Sequence, residues 1–155
     1  MNINDSTLHR RGELLAEFFL QDLKPVFLLG TQNGNLPDFN ADFLAGFRNA
    51  RGGINVVAVE VKSTDKEVRK NFIVSGRSYD FLANSNTIGL LLVVNAKTNK
   101  IYYHFADGSS ARLHSDVRIS VQIASAETRA NILSALSFSN SGDDSSQEVI
   151  RGVLR

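Results

Sequence analysis

The chain has 155 residues, 43% of them hydrophobic, with 17 Lys and Arg against 16 Asp and Glu. That apolar content supports one domain with a sizeable core and excludes a disordered chain. The net charge of +1 excludes a uniformly basic nucleic-acid binder, so any contact with a polyanion must rest on a local patch.

The chain contains no Cys, which removes disulfide frameworks and thiolate metal sites and fits a reducing, cytoplasmic compartment. The first five residues lack a basic stretch followed by an apolar run, so no signal peptide is expected. The longest apolar run, 88–94, is too short to span a bilayer, so no membrane is expected. The expected organisation is one domain over 1–138, then a flexible linker and short C-terminal segment over 139–155.

Taken in order, the chain opens with a helix over 7–23, capped by Ser6 or Asp5. Leu8, Leu15, Phe18 and Phe19, with Leu14 beside them, make an apolar stripe at helical spacing. His9, Arg10 and Arg11 lie at its start, where cations oppose the helix dipole and suit either solvent or an anionic ligand. Glu13 and Glu17 share one broad face. Pro25 stops the helix, and a short strand over 26–29 ends at Gly30. A polar loop with an Asn33-Gly34 turn leads to a strand over 41–47. Arg51, Gly52 and Gly53 turn the chain into a Val-rich strand over 54–62.

A second helix is expected over 66–84, capped by Thr64 or Asp65, with a weakly helical stretch at Ile73 to Gly76. Lys66, Arg69, Lys70 and Arg77 supply its basic side. Residues 88–95 form a continuous apolar strand, suited to the centre of a sheet covered on both faces. A turn at 97–99 leads to a strand over 100–105. Asp107-Gly108 makes another turn, and 117–123 alternates as a half-exposed edge strand. Ser125 caps a last helix reaching Leu136. The tail is rich in Ser, Asn, Asp and Gly, and 148–154 suits a short helix or a partner contact. The fold class is therefore α/β: a mixed central sheet of about five or six strands flanked by helices.

The chemistry concentrates on Glu60-Val61-Lys62. Successive strand residues alternate faces, so Glu60 and Lys62 lie side by side at the end of an otherwise apolar strand. Buried charges are costly unless paired or bound to metal. Hairpin geometry brings Asp42, at the start of the preceding strand, to the same end of the sheet. Two carboxylates suffice for Mg²⁺, which keeps several waters. A metal neutralises charge on a phosphate and acidifies the attacking water. Lys62 then orients the water or stabilises developing charge. Glu13, from the first helix, suits a second metal. The competing reading is a plain ion pair at a sheet edge, worth little when exposed. His104 and His114 are separated by turn and loop, and His104 reads as a half-exposed strand residue rather than a ligand. Tyr102 and Tyr103 point to opposite faces, so at least one is core.

Gly12-Glu13 on helix one, Asp42-Phe43-Leu44 opening a strand, and Glu60-Val61-Lys62-Ser63 closing the next resemble the PD-(D/E)xK restriction-endonuclease-like superfamily. In particular they are similar to its poorly characterised bacterial endonuclease-like domains. The likeness covers about residues 8 to 105. It implies a restriction-endonuclease-like core and DNA cleavage with Mg²⁺ or Mn²⁺. Glu13, Asp42 and Glu60 would hold metal and Lys62 would be catalytic. Asp38, in a literal Pro-Asp, is the rival for the strand acid, and Asp42 is favoured because it opens the strand. Implied partners are DNA, or RNA, and a second copy or a larger complex. Two other readings are carried: a nuclease-fold subunit that binds without cutting, and an immunity or interaction protein.

Overall fold

The structure, a computed structural model, describes residues 4–31, 41–84, 86–107 and 115–137. Asp38, His114, the Asn33-Gly34 turn, Gly108 and all of 139–155 lie outside the described residues.

The fold is mixed α/β. Helix α1 (Asp5–Asp22) leads to β1 (Phe27–Gly30), β2 (Phe43–Arg48) and β3 (Ile54–Thr64). Then come β4 (Asn71–Val74), α2 (Gly76–Asn84), β5 (Ile88–Asn95) and β6 (Lys100–Phe105). The chain continues through β7 (Val117–Ser120) and β8 (Gln122–Ile123) to α3 (Ala126–Leu136). Six strands form the main sheet in the order β1-β2-β3-β5-β6-β8, and β4 pairs with β7 in a small separate sheet. Among the described residues only the β3–β5 pair is parallel, running from Val57↔Ile88 to Thr64↔Asn95. α2 lies in the crossover between these two strands, as a parallel connection requires.

The two faces of the sheet build two cores. On one, Val57, Val59, Val61, Leu90, Leu92 and Val94 pack under Ala16 and Leu20 of α1 and Ile132 and Leu136 of α3. On the other, Ala58, Leu91 and Val93 pack under Tyr79 and Leu82 of α2 and Val117 and Ile119 of β7. β5 is therefore covered on both sides, which explains its unbroken apolar run.

α1 begins earlier than its spacing predicts. Asn4, not Ser6 or Asp5, is the cap, and its side chain accepts from the Ser6 amide at 3.3 Å. The buried line is Gly12, Ala16 and Leu20. Leu8, Leu15 and Phe19 flank it, half-buried, while Leu14 and Phe18 are exposed, Phe18 by 67%. The small residues decide this, because a Cβ on Gly12 would meet the Ser63 side chain, with its Cβ at 2.8 Å. The helix backbone thus lies directly against β3.

The expected helix over 66–84 is overturned in its first half. Thr64 ends β3, and its hydroxyl accepts from the Lys66 amide at 3.1 Å in a turn rather than a helix cap. Asn71 to Val74 then pair antiparallel with Val117 to Ser120. Aromatic and β-branched residues favour strand once a partner is present. Helix α2 starts only after Ser75, whose hydroxyl accepts from the Ser78 amide at 3.4 Å. Lys66, Arg69, Lys70 and Arg77 consequently do not line one helix.

The expected single strand over 117–123 is likewise two strands in different sheets. Val121 separates them and donates its N–H to the Lys70 carbonyl at 2.9 Å. α3 matches its prediction, with Ser125 and Thr128 forming a reciprocal capping box. Among the described residues no helix is long and apolar enough to cross a membrane.

Candidate functional site

The β2–β3 hairpin positions the site. Phe43 registers with Val59, and the Asp42 amide donates to the same residue's carbonyl at 2.8 Å. Asp42 therefore meets β3 beside Val59, one residue before Glu60. Its Oδ2 accepts from the Val61 amide at 2.7 Å, which draws the carboxylate onto the strand segment between Glu60 and Lys62.

Glu60 is 6% exposed. Its Oε1 forms an ion pair with Lys62 Nζ, and the Lys62 side chain remains 32% exposed. Glu60 Oε2 is buried without a hydrogen-bond partner. Such an atom fits a hard cation, which seeks oxygen ligands. Asp42, Glu60 and Lys62 are thus brought to one stretch of β3, with the lysine turned toward Glu60.

Glu13 lies on α1, which packs on the other face of the sheet, where Gly12 abuts Ser63 near the end of β3. Its side chain is 12% exposed and lies 3.7 Å from Arg10. Among the described residues, no three carboxylate or imidazole side chains gather as a metal-holding group. Asp38 and His114 lie outside the described residues.

Two features escape the sequence reading. The first is a relay joining α2, β6 and β7. His104 Nδ1 lies 2.7 Å from the Ser120 carbonyl, which only accepts, so this nitrogen carries the proton. Nε2 then accepts from the Tyr79 hydroxyl at 3.0 Å, and that oxygen accepts from the Asp107 amide at 3.3 Å. Burial pushes the His104 pKa down, against the raising effects of the Ser120 bond and the Asp107 charge. Both ring nitrogens are engaged, so the half-buried His104 is structural rather than a ligand. Tyr103 faces the other core, and burial raises its phenol pKa. The second feature is Asp80, 9% exposed on α2, whose Oδ2 is also buried without a partner. No local signal marks it, because an acid in mid-helix ordinarily faces solvent.

The class defined by these features is a mixed α/β protein with a carboxylate–carboxylate–amine cluster at the end of a hairpin. No known family model matches the chain, and no curated protein matches it.

Proposed function

We propose that the protein is a metal-dependent endonuclease of the PD-(D/E)xK, restriction-endonuclease-like kind, acting on DNA phosphodiester bonds in the cytoplasm. One observation carries the reading. Glu60 is buried with an unpartnered Oε2 and is ion-paired with Lys62, and the Asp42 carboxylate accepts from the Val61 amide between them. Asp42 and Glu60 would hold Mg²⁺ or Mn²⁺. When bound, the ion would neutralise phosphate charge and acidify the attacking water.

The chain's own groups do the rest. The Val61 amide fixes the Asp42 carboxylate against β3. The buried environment keeps water from screening Glu60. Lys62, partly open to solvent, would place its ammonium against the negative charge developing on the phosphate. Glu13 would supply a further metal-holding carboxylate from α1. A second copy or another subunit would supply the cut on the opposite strand.

The Lys62–Glu60 ion pair favours a second reading, since Lys62 itself satisfies half of the carboxylate. On that reading the domain binds DNA or a partner within a larger complex without cutting. Incubating the protein with supercoiled plasmid and Mg²⁺ or Mn²⁺ separates the two. Metal-dependent nicking that disappears in both Glu60→Ala and Lys62→Ala is expected. No nicking by the wild type, or nicking untouched by these changes, would sink the enzyme reading.

A further inference from the structure

On the side of the sheet that α2 covers, β1, β2 and β3 share rows. Leu29 registers with Leu44 and Leu44 with Ala58, which belongs to the core under α2. Further along, Phe27 registers with Gly46 and Gly46 with Val56, and Arg48 registers with Ile54. Alternation puts Phe27, Leu29, Leu44, Ile54 and Val56 on that same face. α2 does not reach the last of these rows. Tyr79 bonds to His104, in the row of Glu60, and Leu82, one turn on, lies over Gly89, in the row of Ala58. The helix ends soon after, at Asn84. Leu29, Ile54 and Val56 are accordingly exposed, and the Phe27 ring lies where a Cβ on Gly46 would be. The result is an apolar sheet face that no helix covers among the described residues, at the end of β3 opposite to Glu60 and Lys62. Exposed apolar patches of this kind mark contact surfaces.

α3 delivers the rest of the chain to this place. The carbonyl of Leu136, its last residue, accepts from the Asn55 side chain at 3.0 Å, and Asn55 stands between Ile54 and Val56 on β3. In the sequence of residues 148–155, helical spacing sets Val149, Ile150, Val153 and Leu154 on one side and Glu148, Arg151 and Arg155 on the other. The ten residues 138–147 before them can span up to roughly 33 Å. That is ample to pass round the end of the sheet, where one layer is about 10 Å thick. Charge agrees. Arg48 and Arg51 are exposed at the rim of the face, and residues 43–59 contain no acid. The described acids at this end stand off the face: Asp22 is ion-paired with Arg129 of α3, and Asp107 follows β6, on the far side of β5. The chain beyond α3 supplies the missing sign with Asp143, Asp144 and Glu148.

We propose that this face is a docking surface for residues 148–155 of the same chain. Val149, Ile150, Val153 and Leu154 cover Phe27, Leu29, Ile54 and Val56, while Asp143, Asp144 and Glu148 lie toward Arg48 and Arg51. The docked segment leaves the Glu60–Lys62 end of β3 open, and the assignment does not depend on the nuclease reading. A second copy fits this face less well. A two-fold interface would bring four arginines together with no acid from residues 43–59 between them.

The absence of Cys makes disulfide trapping in the full chain a clean test. The reporting pair is Val56→Cys/Val153→Cys. The control is Lys100→Cys/Val153→Cys, whose first position is exposed at the other end of the sheet. Oxidation by glutathione disulfide is followed by non-reducing electrophoresis and peptide mass spectrometry. The within-chain disulfide should close at least about tenfold faster in the reporting pair, because docking raises the effective concentration of one thiol at the other. Leu29→Cys in place of Val56→Cys should behave alike. Adding Ile150→Asp/Leu154→Asp should bring the reporting and control rates together. Adding Arg48→Glu/Arg51→Glu should slow closure at low salt and much less at high salt. Equal rates in the reporting and control pairs, or closure untouched by Ile150→Asp/Leu154→Asp, would overturn the assignment. Disulfide-linked dimers in place of closed monomers would also overturn it and give the face to a second copy.

Discussion

The Glu60–Lys62 pair offers a stability experiment that separates a functional charge pair from a structural one. Replacing Lys62 by Ala leaves the Glu60 carboxylate in a site only 6% exposed. Breaking a fully buried pair costs about 3–5 kcal/mol. Because the Lys62 side chain is 32% exposed, water reaches part of the vacated space, and about 2–3 kcal/mol is expected. For a chain of this length that lowers Tm by roughly 4–12 °C. Replacing both residues, Glu60→Leu/Lys62→Met, removes both charges and sets a leucine side chain beside Ala58 and Leu91, which are apolar and buried. Apolar replacement of a buried pair is often neutral or stabilising. The double variant should therefore melt at or above the wild type while losing all cleavage. Urea denaturation followed by circular dichroism gives the free energies and the coupling between the two sites. A double variant as unstable as Lys62→Ala would mean that the pair holds the fold, and the catalytic reading would lose its main support.

Four further outcomes follow from the geometry. Gly89→Ala drives a Cβ to 2.5 Å from the Leu82 backbone oxygen, so α2 must lift from β5 at about 1–3 kcal/mol, read as a lower urea midpoint. Gly12→Ala meets the Ser63 side chain, gains up to about 1 kcal/mol in helix propensity and should be the milder of the two. The lowered pKa of His104 means that the unfolded chain takes up a proton first. Stability from this residue is complete above the ordinary value of 6.5 and is lost as pH falls through the folded value. Melts at falling pH should show that loss, reduced in His104→Gln; an identical pH profile for the two would refute it. Mn²⁺ at about 100 times its Kd should stabilise the wild type by about 2.7 kcal/mol and leave Glu60→Gln unmoved.

Much of the scaffold was legible because its signals are local. Ser125 marks the cap of α3, and in the structure Thr128 completes it as a capping box. The unbroken apolar run of β5 implied cover on both faces, which α1 and α2 provide. The nearness of Asp42 to the Glu60–Lys62 pair has an equally local reason. A hairpin aligns the start of one strand with the end of the next, so the Asp42 carboxylate reaches the Val61 amide.

What the sequence determined alone was the set of contacts within one hairpin or one helix turn. Tertiary structure decided the rest. Asn71 to Val74 suit helix or strand until Val117 to Ser120, more than forty residues away, offer an edge to pair with. The stripe of large residues on α1 hid the real contact, because close approach to β3 selects Gly12 and Ala16 over Phe18. The face of the sheet that carries Glu13's helix, the burial of Asp80 and the joining of His104 to Tyr79 depend on which faces the helices cover. Long-range packing sets those faces, and no short window of residues encodes it.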